Sequence, residues 1–243
     1  MKGFLIALQF LTRIPVKIEG SIEEGDLINS LYYYPLIGFI IGILLVLVNS
    51  LLVSYLPLGA RSVVLLTIIV FVSGGLHLDG FMDTMDGICS GKDRERSLEI
   101  MRDSRVGAFG VLGLVLILLL KLTFLQNISG QALNSALLVM PVASRWTVVV
   151  NMTMASYARQ DFGLGKVMID NAGWKEVLVT MIFTLIISVY LLGFQALSLL
   201  LLLLIFTWFW SVFLKGKIGG LTGDTLGALL EMSEVLVLFI LLI

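Results

Sequence analysis

Charge is what this sequence has least of. Asp, Glu, Lys and Arg make up 14% of its 243 residues, against about 25% in a soluble domain. There is one cysteine, Cys89, and one histidine, His77. A lone cysteine excludes an internal disulfide framework, and one of each excludes a zinc-finger type of site. The formal net charge of −1 supplies no basic field for nucleic acid. Long linkers and low-complexity segments are also absent, so residues 1–243 read as one integral membrane domain. The N-terminal stretch after Met1 has no small-residue cleavage site and reads as retained.

What replaces the charge is apolar sequence: 58% of residues are hydrophobic and the mean hydropathy is +1.04. Apolar runs recur along the whole chain, and no water-soluble fold could hide them all. The bilayer must therefore be the solvent, and the fold class is all-α, a polytopic transmembrane helix bundle. The pattern predicts about seven spans, with six to eight allowed: 31–56, 61–78, 107–126, 132–155, 176–193, 197–213 and 225–243. Residues 3–12 are too short to cross and predict a short interfacial or re-entrant helix, broken at Thr12-Arg13-Ile14-Pro15. Tyr32-Tyr33-Tyr34-Pro35 reads as an aromatic belt opening the first span. Gly38 and Gly42 form a small-xxx-small face for close packing. Placing the N-terminus inside puts thirteen of the sixteen lysines and arginines on the cytoplasmic side. Only Arg61 falls in an opposite loop, and Lys121 and Arg145 fall within spans. That asymmetry predicts a cytoplasmic N-terminus.

The segment with chemistry runs from Gly74-Gly75-Leu76-His77-Leu78-Asp79-Gly80 to Asp83-Thr84-Met85-Asp86-Gly87. On a helix Asp79, Asp83 and Asp86 fall within about 60° of one another. Like charges at this spacing repel, and carboxylates near lipid are costly to desolvate. A divalent cation would offset both costs, and hard oxygen ligands suit Mg²⁺. The plainer alternative is a solvated helix end. Gly80 and Gly87 would admit a diphosphate or another backbone. Arg102-Asp103-Ser104-Arg105 follows on the same predicted side, with two guanidiniums suited to phosphate, although inside loops are basic anyway. Acids plus arginines fit metal-assisted phosphoryl transfer. For His77, general base, phosphate contact and metal ligand all stay open. Arg145, Asp224, Glu231 and Glu234 would line the same cavity, with an Arg145–Glu231 structural ion pair as the alternative.

These residues resemble the cobalamin synthase family, the adenosylcobinamide-GDP ribazoletransferases. The likeness runs in order along almost the whole chain. It takes in Phe10-Leu11-Thr12-Arg13-Ile14-Pro15-Val16, Tyr34-Pro35-Leu36-Ile37-Gly38 and the aspartate segment. It continues through Ile100-Met101-Arg102-Asp103-Ser104-Arg105-Val106-Gly107, Ser144-Arg145-Trp146 and Gly219-Gly220-Leu221-Thr222-Gly223-Asp224. Leu78 departs from it, since an acidic residue is expected there in many relatives. The resemblance implies a transferase of cobalamin biosynthesis, multi-pass in the cytoplasmic (inner) cell membrane. It would join adenosylcobinamide-GDP to α-ribazole, or its 5′-phosphate, and release GMP. Mg²⁺ is the implied metal, held by Asp79, Asp83 and Asp86, with His77 or an aspartate as base. Arg13, Arg102, Asp103, Ser104, Arg105, Arg145, Asp224 and Glu231 are the implied substrate-binding residues. Partners would be the corrinoid nucleotide, α-ribazole and the lipid bilayer, with a homo-oligomer or other late corrinoid-pathway enzymes left open. Two rivals remain. A CDP-alcohol phosphotransferase would begin Asp-Gly-x-x-Ala-Arg, a spacing that Asp79-Gly80 to Asp83-Thr84 does not follow. A proton-coupled transporter would place its acids nearer the midplane and show an inverted repeat.

Overall fold

A computed structural model describes residues 2–160 and 163–243. Among these residues there are helices and one isolated bridge, Tyr157 to Leu221, but no strand. The chain opens with α1 (Lys2–Leu11), a ten-residue apolar helix too short to cross. Next come α2 (Glu24–Ser30), a 3-10 turn (Leu31–Tyr33) and α3 (Tyr34–Leu52). Pro35 sits at the start of α3, where its missing N–H costs nothing. The rest is α4 (Leu58–Ser73), α5 (Leu76–Cys89), α6 (Arg94–Ile100), α7 (Ala108–Asn127) and α8 (Gly130–Met152). These are followed by α9 (Leu164–Asn171), α10 (Trp174–Leu192), α11 (Gln195–Ile218) and α12 (Gly223–Leu242).

Six stretches are long and apolar enough to cross a bilayer: residues 24–52, α7, α8, α10, α11 and α12. The pair α4 and α5 passes the same test only when its two halves are taken together across an 86° bend, as a broken span or a re-entrant loop does, so the count is six, or seven with the pair as one span. The protein is a multi-pass membrane protein, and the expected helical bundle of six to eight spans is what forms. Outward faces of α7, α10 and α11 carry exposed Leu, Ile, Val and Phe, as helices solvated by lipid should. The centre is α8, the most deeply buried span, which packs on α3, α10, α11 and α12. Pro141 lies inside it and offers no N–H to the Leu137 carbonyl. That carbonyl faces Gly42, where a Cβ would sit 2.9 Å away, and a Cβ at Gly38 would overlap the Pro141 carbonyl. The small face of α3 is therefore a seat for the irregular backbone of α8.

The second span departs from the expected 61–78. α4 ends at Gly74 and Gly75, both left-handed, with φ of 62° and 72°. A side chain is strained in this region, and two such residues in succession turn the chain through 86°. The Arg13 N–H donates to the Val72 carbonyl at 2.8 Å, so the segment after α1 satisfies a helix end left open at the break. α5 then runs antiparallel to the beginnings of both α7 and α12. Gly80 meets the Asp224 backbone and Gly227 meets His77; Gly113 meets Phe81 and Met85. The aspartate helix is thus packed between two spans and does not trail from the end of one.

Gly38→Ala should lower the thermal unfolding midpoint in detergent by the equivalent of about 1–3 kcal/mol, the range for overpacking. Gly59→Ala, where a Cβ meets nothing nearer than 3.9 Å, should leave that midpoint within a degree or two.

Candidate functional site

α5 begins immediately after the left-handed pair, and its first turn carries Asp79, a position that the helix dipole favours for an acid. Asp79 is exposed, Asp83 half-buried and Asp86 buried. The three share one helix but not one environment. Asp86 accepts from the Gly107 N–H at 2.7 Å and the Gly110 N–H at 2.8 Å. It closes two of the open donors at the start of α7, and its charge complements that helix end. Asp79 and Asp83 accept no hydrogen bond and pair with no cation among the described residues. Across from them, at the start of α12, stands Asp224. The carboxylates of Asp224, Asp79 and Asp86 all act electrostatically on Asp83, opposed by Arg159.

Among the described residues no three His, Cys, Asp or Glu side chains stand together in a closed metal cage. Two carboxylates one helical turn apart with no protein donor still suit a hard cation. Such a cation commonly takes one or two carboxylates and completes its shell with water and substrate phosphate. Asp86, committed to α7, is the member of the expected trio with a separate function. Gly80 and Gly87 are likewise used by protein: Gly80 by the Asp224 backbone, and Gly87 by Ser97 and Met101 of α6.

Two hollows flank these carboxylates. The first, about 160 Å³, has His77, Asp79, Gly80 and Asp224 in its wall and otherwise mostly apolar side chains from α1, α3, α5, α8, α9 and α12. The second, about 280 Å³, is a groove lined by Arg94, Arg102, Arg159 and Gln160, with Glu95 and Glu99. Arg159 joins the two, since its Nη2 lies 2.8 Å from Asp224 Oδ2. Thr222 Oγ1 also donates to Asp224, at 3.3 Å. Arg94 is spent on structure: its Nε donates to the Ile218 carbonyl and its Nη2 to the Ala158 carbonyl, both at 2.9 Å. This ties the loop before α12 to residues 156–158, where Ala158 and Leu221 pair through backbone. The glycine-rich turn at 219–223 uses its amides in this way and caps α12 with Thr222.

The remaining expected residues are scattered. Arg105 and Asp103 pair with each other at 2.6 Å, with Arg105 Nη2 donating. Hydrogen bonds from Arg105 pull the Asp103 carboxyl down to about 2. Ser104 lies exposed beside them. Arg13 stacks its side chain over Gly74 at the helix break.

Arg145 and Glu231 are brought together with Glu234, which the sequence had joined to them, and with Lys121, which it had not. Lys121 of α7 pairs with Glu231 and, at 2.6 Å, with Glu234. Arg145 lies 3.2 Å from Glu234 and donates to the Pro141 carbonyl at 3.1 Å. All four side chains are at most 4% exposed. Arg145 and Glu231 are therefore balanced charges inside the bundle, outside the walls of the hollow. The alternative reading, an Arg145–Glu231 ion pair, is met in kind but with Glu234 as the partner of Arg145. His77 lies between this cluster and the hollow. It is 6% exposed, and its Nε2 has no partner among the described residues. The signal for Lys121 was available: it is a second cation in a span, and it needs an acid at the same depth. Arg159 had no such signal, because it sits in an inside loop where arginine is ordinary.

Comparison with known proteins places this architecture. The family model for cobalamin-5-phosphate synthase matches residues 3–242. An adenosylcobinamide-GDP ribazoletransferase of Caldanaerobacter subterraneus subsp. tengcongensis is 38% identical over 97% of this chain and 96% of its own. One from Acetivibrio thermocellus is 40% identical over 96% and 94%, and one from Desulforamulus reducens is 40% identical over 98% and 95%. No solved structure matches. The chain belongs to the cobalamin-5-phosphate synthase family.

Lys121→Met would leave two buried glutamates with one guanidinium. It should cost about 3–5 kcal/mol, the range for breaking a buried pair from one side. Lys121→Met combined with Glu231→Gln should recover more than half of that loss in detergent unfolding.

Proposed function

We propose that this family member is an adenosylcobinamide-GDP ribazoletransferase, acting at the cytoplasmic face of the inner membrane. The observation that carries the chemical reading is the state of Asp79 and Asp83. They are adjacent carboxylates with no protein donor, facing Asp224 and beside a groove of arginines. The orientation is supported by the thirteen cations that fall on the side of the N-terminus.

In the proposed reaction a ribose hydroxyl oxygen of α-ribazole, one that stays free in the 5′-phosphate form, loses its proton and bonds to the phosphorus attached to cobinamide. The bond from that phosphorus to the bridging oxygen breaks, and GMP leaves with that oxygen. Mg²⁺, held by Asp79 and Asp83, would neutralise charge developing on the diphosphate. The chain's own residues do the rest. Asp79 and Asp83 are also the carboxylates placed to take the hydroxyl proton. His77 is less well placed for this, because its side chain is buried and its Nε2 is enclosed without a partner among the described residues. Arg159 and Arg102 present guanidiniums to phosphate oxygens from the groove, with Asp224 holding Arg159 in position. Catalysis is then mostly positioning and electrostatics. A CDP-alcohol donor remains the rival substrate, and it is separated by offering CDP-diacylglycerol to the same preparation.

Asp83→Asn should lower GMP release by at least about 100-fold, on the scale of losing one electrostatic stabiliser, with membrane insertion and thermal midpoint unchanged. Asp86→Asn should lower the thermal midpoint itself, because its side chain then has one oxygen for two amides. Turnover near wild type in Asp83→Asn, measured with adenosylcobinamide-GDP, α-ribazole and Mg²⁺, would remove the carboxylate pair from the mechanism.

A further inference from the structure

We infer that the hollow beside Asp79 and Asp224 is the seat of the aromatic base of the acceptor nucleoside, so that the fold itself reads the size of that base. The inference rests on the proposed activity for the identity of the acceptor, and it adds where the acceptor binds and what selects it.

Three properties of the hollow lead there. The first is its lining. Phe10, Tyr34, Val148, Met168, Leu226 and Leu230 make its wall apolar and aromatic. The Tyr34 hydroxyl already donates to the Met168 sulfur, 3.6 Å off, and the His77 Nε2 is buried. A guanine placed here would bury several donors and acceptors with almost nothing to pair them, a cost of kcal/mol for each unpaired group. A benzimidazole joined to ribose has one unsubstituted ring nitrogen and otherwise carbon, and it loses little.

The second property is size. The hollow holds about 160 Å³. An apolar cavity of roughly 150 Å³ stays dry and takes up a single benzene ring, so this one is filled by the outer ring of a fused bicycle with its methyl groups. A corrin macrocycle could not enter. Of the four parts of the two substrates (corrin, adenosyl group, guanosine and α-ribazole) only the last has a piece of this shape and polarity, since adenine, like guanine, would bury unpaired donors and acceptors here.

The third property is position. Asp79, Gly80 and Asp224 belong to the same wall. A base seated against Met168 and Leu230 therefore leaves its ribose at the carboxylates, where the attacking ribose hydroxyl must be deprotonated. The arginine groove lies on the other side of Asp224, across Arg159. The acceptor would thus approach from the apolar hollow and the diphosphate from the basic groove, meeting at the carboxylates between them.

The test compares α-ribazole with the α-riboside of unsubstituted benzimidazole in wild type, Leu226→Phe and Leu226→Ala. One missing methylene-sized group in an apolar pocket is worth roughly 10–200-fold. Wild type should prefer the dimethyl base. Leu226→Phe should raise the KM for α-ribazole at least tenfold and shift the kcat/KM ratio at least tenfold toward the smaller base, with the KM for adenosylcobinamide-GDP within twofold. Leu226→Ala should shift the ratio the other way, toward a larger naphthimidazole riboside. A general disturbance of the fold would not produce opposite shifts from one position. Unchanged ratios in both variants, or a KM change confined to the corrinoid nucleotide, would overturn the inference while leaving the proposed activity intact. If wild type releases no GMP, the activity itself falls. The hollow is then judged by calorimetry with α-ribazole: tenfold weaker binding to Leu226→Phe sustains it, and equal binding to both proteins overturns it.

Discussion

A helix cannot begin inside a membrane unless something satisfies the backbone groups at its end, and this requirement organises the molecule. The α4–α5 pair is cut at Gly74 and Gly75, whose left-handed geometry turns the chain sharply. The open carbonyl of Val72 is met by the Arg13 N–H. The segment after α1, which looks like an appendage to the bundle, is therefore part of what allows α4 to stop there and the chain to turn into α5. Once α5 starts at that depth, its short side chains decide its neighbours. Gly80 admits the start of α12, and Gly113 of α7 admits Phe81 and Met85. The result is a helix of carboxylates wedged between the N-terminal ends of two spans. Positive helix-end potential there favours the acids that repulsion alone would scatter.

The buried charges answer a different demand. Lys121, Arg145, Glu231 and Glu234 sit on three separate spans and sum to zero. Each is unaffordable in lipid without the others, so they fix the register of α7, α8 and α12 below the carboxylates. The same three spans carry Asp86's amide partners, part of the hollow and Asp224. Charge balance in the interior thus sets the distances at the open end, although none of the four groups lies in the hollow's wall. His77, between cluster and hollow, is the residue through which one could disturb the other.

The bundle was readable from the sequence because a run of apolar residues leaves the chain no other solvent. The number of spans and most of their ends follow from that alone. The aspartate segment was also readable, since three acids at helical spacing beside lipid need explaining. What could not be read was which acid does what. Asp86 differs from Asp83 only through Gly107 and Gly110, twenty-odd residues away, whose amides reach it because α7 happens to start there. The break at Gly74-Gly75 was visible as a glycine pair, but its angle depends on Arg13 filling the gap. Arg105 looked like a phosphate ligand by type; its nearest acid, Asp103, takes it first. Arg159 looked like an ordinary loop cation, and it is the one that touches Asp224. Local pattern fixes which groups are present, while partner choice is settled by tertiary packing.

Two substrates of very different character must meet for the proposed reaction, and the arrangement around Asp224 suits that task. On one side is an apolar hollow too small for anything but a flat ring, and on the other a groove of guanidiniums open to water. The Arg159–Asp224 pair is the partition between them. A partition made of an ion pair can be engaged from either side. A phosphate arriving in the groove competes with Asp224 for Arg159, and loosening that contact returns a carboxylate to the set facing Asp83. Diphosphate binding would then raise the negative charge that the site presents to a divalent cation just as the cation is wanted. The residues proposed to bind the donor and those proposed to hold the metal would in this way be coupled through one hydrogen bond of 2.8 Å. Arg159 could therefore not be exchanged for Lys without losing the planar fork that serves carboxylate and phosphate together.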